Sequence, residues 1–173
     1  LYPFAGAPLS GMTTTCIGGA RFIGSAKVTT NSTNQDLVAQ VNQFKGTLNG
    51  EAYDGFDPTE ATSDVVLPLI MNANSGYWTS INLMNVGNTS ATVTCTFTPY
   101  GSVALPTLST TLDPDEGISW LQNAPDEFGT TKYIGSATCT APGTEIVAIV
   151  NELGASTTAD QLLVYEGINI SLP

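Results

Sequence analysis

The chain has 173 residues, 42% of them hydrophobic and only 11% charged, so it can bury a sizeable core beneath an unusually neutral surface. Four Lys and Arg against fifteen Asp and Glu leave a net charge of −11, which argues against nucleic-acid partners and anionic membrane surfaces, both of which call for basic residues. Histidine is absent, which removes Ser-His-Asp and Cys-His catalysis and His-containing zinc sites.

Residues 1–19 carry apolar side chains without alternation, punctuated by Pro3, Pro8 and glycines, and read as an extended arm. The chain begins at Leu1, compatible with removal of a leader or with a fragment of something longer. Short runs of Val, Ile, Thr and Tyr then place strands at 21–30, 36–44 and 51–56, with Asn49-Gly50 as a hairpin turn. Further strands follow at 65–72, 78–86, 91–100 and 103–112. In the third of these, Val93, Cys95 and Phe97 alternate with Thr92, Thr94, Thr96 and Thr98, the pattern of a half-buried strand with a threonine-covered outer face. The last group is 117–121, 132–141, 145–153 and 161–170, in which the unbroken run Val147-Ala-Ile-Val150 predicts a central strand covered on both faces. No capped helical stripe and no membrane-length apolar stretch interrupts the series. Eleven short strands make an all-β fold, an immunoglobulin-like or jelly-roll β-sandwich.

One stretch occurs twice. Phe22-Ile-Gly-Ser-Ala-Lys-Val-Thr29 returns as Tyr133-Ile-Gly-Ser-Ala-Thr-Cys-Thr140, five of eight positions identical. Val38-Ala-Gln-Val-Asn-Gln43 returns as Val147-Ala-Ile-Val-Asn-Glu152, and Tyr53-Asp-Gly-Phe56 as Tyr165-Glu-Gly-Ile168. This is a duplicated supersecondary unit, B, flanking a different unit, A. The domains are then an arm (1–19), a three-stranded half-repeat (20–63) and a sandwich repeat (64–173), unless all three form one enlarged sandwich. A three-stranded half-unit cannot stand alone in water. It is buried within an enlarged sandwich, or in a longer A-B-A-B array, or on a neighbouring molecule by strand addition.

Candidate chemistry is sparse. Neither a P-loop nor a dinucleotide fingerprint is present, and Tyr53-Asp-Gly, the nearest approach to an aspartic-protease motif, has Glu166 in its second copy. The chain is therefore read as a non-enzyme without an organic cofactor. Asp54, Asp57, Glu60 and Asp64 in the connector between the units form a candidate calcium site. A second acidic run, Asp113, Asp115 and Glu116, surrounds Pro114. For both, a turn of solvated acids is the favoured reading. Three cysteines leave one over: Cys95 and Cys139 fall on apolar strand faces and are either a disulfide between facing strands or two buried thiols. Cys16 is then free, bonded to a neighbouring subunit, or paired within the chain. Asn31, Asn88 and Asn169 head sequons compatible with glycosylation of an exported protein. Tyr77-Trp78, Tyr100 and Trp120 are either a sugar-binding platform or packing aromatics.

Phe22-Ile-Gly-Ser-Ala with Val-Ala-x-Val-Asn downstream, and Leu67-Pro-Leu-Ile with Gly76-Tyr-Trp-Thr-Ser-Ile-Asn-Leu, resemble the β-sandwich repeats of prokaryotic secreted and cell-surface proteins. Related sandwich subunits build pilus-like extracellular filaments by donor-strand complementation. The resemblance implies an extracellular structural subunit, a homopolymer whose partner is itself, with surface glycans possible and no membrane insertion. The alternative it leaves is a carbohydrate- or protein-binding module of a longer surface repeat protein.

Overall fold

The structure, a computed structural model, describes residues 24–45, 49–122, 124, 127–155 and 161–171. Among them the chain is all-β, without helix. Eleven strands run in order: β1 (Gln40–Lys45), β2 (Asn49–Asp54), β3 (Asp64–Asn72), β4 (Tyr77–Asn85), β5 (Ala91–Pro99), β6 (Leu108–Leu112), β7 (Gly117–Leu121), β8 (Tyr133–Thr140), β9 (Ile146–Gly154), β10 (Leu162–Glu166) and β11 (Ile168–Ile170). They form a β1–β2 hairpin, a four-stranded sheet ordered β10-β9-β4-β7 and a five-stranded sheet ordered β11-β3-β8-β5-β6. All these pairings are antiparallel.

The two larger sheets share one core. Val65, Leu67, Val93, Cys95, Ala137 and Cys139 from one meet Ile81, Leu83, Trp120, Ala148 and Val150 from the other, giving a β-sandwich-like arrangement. The period-two patterns account for this packing. In β5 the residues Val93 and Cys95 are fully buried, while Thr92 and Thr111, and Thr94 and Ser109, pair across the opposite face at 3.2 and 3.0 Å between hydroxyl oxygens. β9 lies between β10 and β4 with all of Ile146–Val150 buried, as its unbroken apolar run requires. At one end Phe97 meets Phe128 edge-on at 4.7 Å and Tyr133 at 6.2 Å.

Five strands differ from expectation. The predicted 51–56 strand is β2, which begins at Asn49, so Asn49 and Gly50 are paired strand residues and not the hairpin turn. Residues 24–30 of the predicted 21–30 strand join no sheet among the described residues and are tied by Lys27 Nζ to Asp115 Oδ1 at 2.7 Å. The predicted 36–44 strand is β1, starting four residues later, so the described part of the first half-unit is a two-stranded hairpin. Strand propensity alone does not make a strand without backbone pairing to a neighbour. The predicted 103–112 strand shrinks to β6, because Gly101 (φ 110) and Pro106 spend the preceding residues in a loop. The predicted 161–170 strand breaks at Gly167 into β10 and β11, one in each large sheet. The arm, 1–19, lies outside the described residues.

Candidate functional site

The hairpin lies alongside β10 and is pinned there by polar contacts. The amide of Asp54 donates to Glu166 Oε1 at 2.9 Å, and the amide of Gly55 to the carbonyl of Ala39 at 2.7 Å. The connector then runs back to the sandwich, where the amides of Ala141 and Ile146 donate to the carbonyls of Ser63 and Thr62 at 2.8 and 2.9 Å. Between connector and sandwich lies a cleft of about 470 Å³, with Asp54, Phe56, Asp57 and Glu60 on one wall and Val147, Glu166 and Asn169 on the other. Three of the four calcium candidates, Asp54, Asp57 and Glu60, thus face one cleft; Glu166 joins them, a residue whose sequence reading stopped at its place in the repeat. Asp64 does not line it: its carboxylate accepts from Ser63 Oγ at 2.7 Å at the start of β3.

Two acids of this cleft are engaged locally, Glu166 by the Asp54 amide and Asp57 within its own turn. Asp57 accepts from the amide and hydroxyl of Thr59, both at 2.8 Å, a turn whose bonds, the backbone one foremost, hold its carboxyl below the usual range. Among the described residues no group of three or more His, Cys, Asp or Glu is placed to hold a metal ion. The second acidic run is a turn of the same kind. The Asp113 amide donates to Glu116 Oε2, Ser90 donates to Asp113 Oδ1, and Asp115 takes the left-handed conformation at φ 62°.

Cys95 and Cys139 form a disulfide with a Cα separation of 4.0 Å. They join two neighbours within the five-stranded sheet, β5 and β8, where they sit directly opposite each other, and not two facing sheets. Both are fully buried. Cys16 lies outside the described residues.

Of the sequons, Asn31 and Asn88 are exposed, whereas Asn169 points inward. Its Nδ2 donates to the carbonyl of Ile146 at 2.8 Å and to Thr62 Oγ1 at 3.2 Å. A glycan on that nitrogen would displace both bonds. The aromatic candidates do not form one platform. Trp120 belongs to the core, Tyr100 is exposed on the β5–β6 loop, and Trp78 pairs across the four-stranded sheet with Leu153.

A cluster of perturbed groups lies elsewhere. In the four-stranded sheet, Glu152 sits directly across from Thr79, whose hydroxyl lies 2.8 Å from both carboxylate oxygens and accepts from the Met71 amide at 2.7 Å. Burial pushes the Glu152 carboxyl up to about 7, the Thr79 bond opposing the shift. One residue beyond β7, Gln122 is fully buried, and neither of its side-chain polar atoms is hydrogen-bonded among the described residues. Tyr165 donates to the Leu69 carbonyl and accepts from the Leu69 amide. Burial first, and Glu152 to a smaller extent, raise its hydroxyl above the ordinary range against the pull of that backbone bond. The sequence offered one signal for this cluster, a glutamate two residues beyond the apolar run Val147–Val150.

No known family model matches the chain, and neither does any curated protein. Among solved structures the chain is similar to that of Thermotoga maritima 1070, at 17% identity and a TM-score of 0.50, over 64% of this chain and 96% of that one. The likeness concerns the fold alone.

Proposed function

We propose that the chain is a structural module of an extracellular assembly, a filament or surface layer, built from immunoglobulin-like or jelly-roll β units in the order B-A-B. The observation that carries this reading is one register with two fates. In the β1–β2 hairpin Val41 sits opposite Tyr53; in the β9–β10 hairpin Val150 sits opposite Tyr165, and these are the residues that the sequence repeat makes equivalent. Yet Val38 is 95% exposed where Val147 is 6%, and Val41 38% where Val150 is 0%. Exposed apolar strand surface of this sort marks an interaction site, and the hairpin's edge offers backbone groups for strand addition. A head-to-tail contact of that kind propagates as a filament unless it closes into a ring. The buried disulfide, the hydroxyl-covered face and the exposed sequons accord with export; a threonine-covered face keeps the assembled surface hydrated. The competing reading, a sugar-binding module, finds less support, since Trp120 is committed to the core.

Negative-stain microscopy of concentrated protein tests the reading. Fibres or a lattice are expected, dispersed by Val38→Asp with Val41→Asp. Monodisperse particles at every concentration, or fibres indifferent to both substitutions, would overturn it.

A further inference from the structure

We infer that the chain contains an intramolecular competition, in which two similar half-units contend for one A unit and the Cys95–Cys139 disulfide decides the winner. The inference rests on the repeat reading above and concerns a single molecule, whatever that molecule assembles into.

The count comes first. There is one A unit, β3 to β7, and two B units, so one B unit is always left over. The fold pairs A with the downstream copy: β8 between β3 and β5, β9 against β4, β11 on β3. The upstream copy supplies similar side chains at the equivalent places. Val41 would take the position of Val150 against Ile81, and Gln43 that of Glu152 against Thr79, with an amide able to satisfy the same hydroxyl. Phe56 would take the place of Ile168 opposite Val66. With Pro58 then opposite Asp64, residues 59–63 form a five-residue hairpin loop, a common length. The upstream unit can therefore reach the A unit of its own chain without stretching the connector.

The two contenders already lie side by side. Asp54, Gly55, Phe56 and Asp57 line one cleft with Glu166, Gly167 and Asn169, the segment they would replace, and the Asp54 amide is bonded to Glu166. One position separates the copies chemically. Opposite Cys95 the downstream unit presents Cys139, whereas the upstream unit has Val28 there, 68% exposed in this arrangement. Valine fits a small apolar site but cannot form the bond. A covalent link at this one pair thus discriminates between sequences that packing alone distinguishes weakly. It also determines which half-unit is left free to meet a neighbour.

Two experiments test the competition on monomeric protein. In the Cys95→Ala, Cys139→Val variant, hydrogen exchange is expected to lose about tenfold or more protection across Ile146–Gly154 and to gain it across Gln40–Lys45. A folded variant with the parental exchange pattern would overturn the inference. The second keeps all three cysteines and adds Val28→Cys, with folding from the reduced chain in glutathione disulfide. Each protein bond formed gives up two protons and two electrons, reducing one glutathione disulfide to two glutathiones. Peptide mapping of the monomer is expected to find the thiol introduced at position 28 bonded to Cys95 in about a tenth or more of the molecules. Exclusive Cys95–Cys139 pairing, or a link from position 28 to Cys95 only between chains, would overturn it. Neither readout depends on whether fibres form, so the competition and the assembly can fail separately.

Discussion

The β1–β2 and β9–β10 hairpins make equivalent cross-strand pairs, Val41 with Tyr53 and Val150 with Tyr165, and meet different surroundings. β9 has β4 along its second edge and packs into the core shared by the two large sheets; among the described residues β1 pairs with β2 alone. Of two valines in like sequence, Val150 is therefore core and Val41 surface. A β residue's burial is set by the sheet it joins, not by its own strand. The energetic consequences of substitution should follow the surroundings and ignore the sequence likeness.

The sharpest way to break the comparison is to place a charge at each equivalent valine. Val150→Asp buries an unpaired carboxylate in the core and should cost more than about 4 kcal/mol, while Val41→Asp should cost the monomer less than about 1 kcal/mol. Urea unfolding of both variants checks this, and equal costs would mean that the first hairpin is as well packed as the second. Next in size comes the disulfide, which joins β5 to β8. Its cysteines lie 44 residues apart, and its removal by Cys95→Ala with Cys139→Ala should lower stability by about 4 kcal/mol. Thermal unfolding of the variant beside the oxidised parent measures the loss.

Glu152 against Gln43 gives a contrast that depends on pH. The Glu152 carboxyl titrates at about 7 in the fold against an ordinary 4.5, so the folded state holds a proton that the unfolded chain releases. Stability should then fall as pH rises from about 4.5 to about 7 and level off above, for a total of about 3 kcal/mol. Glu152→Gln, which installs the residue of the first copy, should flatten that slope and leave stability at about pH 4 nearly unchanged. A parental slope retained in the variant would assign the effect to another group. The smallest contrast lies in the paired tyrosines. Tyr165→Phe should cost about 1–2 kcal/mol, because the Leu69 amide and carbonyl lose their partner; Tyr53→Phe should fall within about 0.5 kcal/mol. Denaturant midpoints of the two variants measure the difference.

Alternation made much of the sandwich legible. The Thr/Val/Cys pattern of β5 and the continuous apolar run of β9 each placed a strand and its buried face, because side-chain direction in a strand has period two whatever the neighbours are. Pairing was less legible. Phe22–Thr29 and Tyr133–Thr140 are nearly the same sequence, yet residues 24–29 join no sheet among the described residues, whereas 133–140 is β8, the middle strand of five. A strand's state depends on an edge supplied from elsewhere, which its own residues do not encode. For the same reason the cysteine pair was identifiable as two buried residues, but its location within one sheet was not. At the site, the carboxylates of the connector stand out as a cluster, while Glu152 stands out only as the last position of a repeated stretch. Its partnership with Thr79 follows from the register, a property of the folded sheet.

Gly167 is where the chain passes from one sheet of the sandwich to the other. A Cβ there would run into Val65 and Leu67 on one side and Ala148 on the other, and its amide donates to the Ala148 carbonyl at 2.8 Å. The segment it divides holds β9 through β10 and β3 through β11. Mechanical load applied at the end of β11 therefore cannot reach β10 without first acting on the edge of the opposite sheet. The last two strands work as a strap across both layers: tension peels the three-residue β11 first, and the five pairs of β10 come under load only afterwards. In a module joined end to end with others, that sequence gives way in a small first step before the core is exposed.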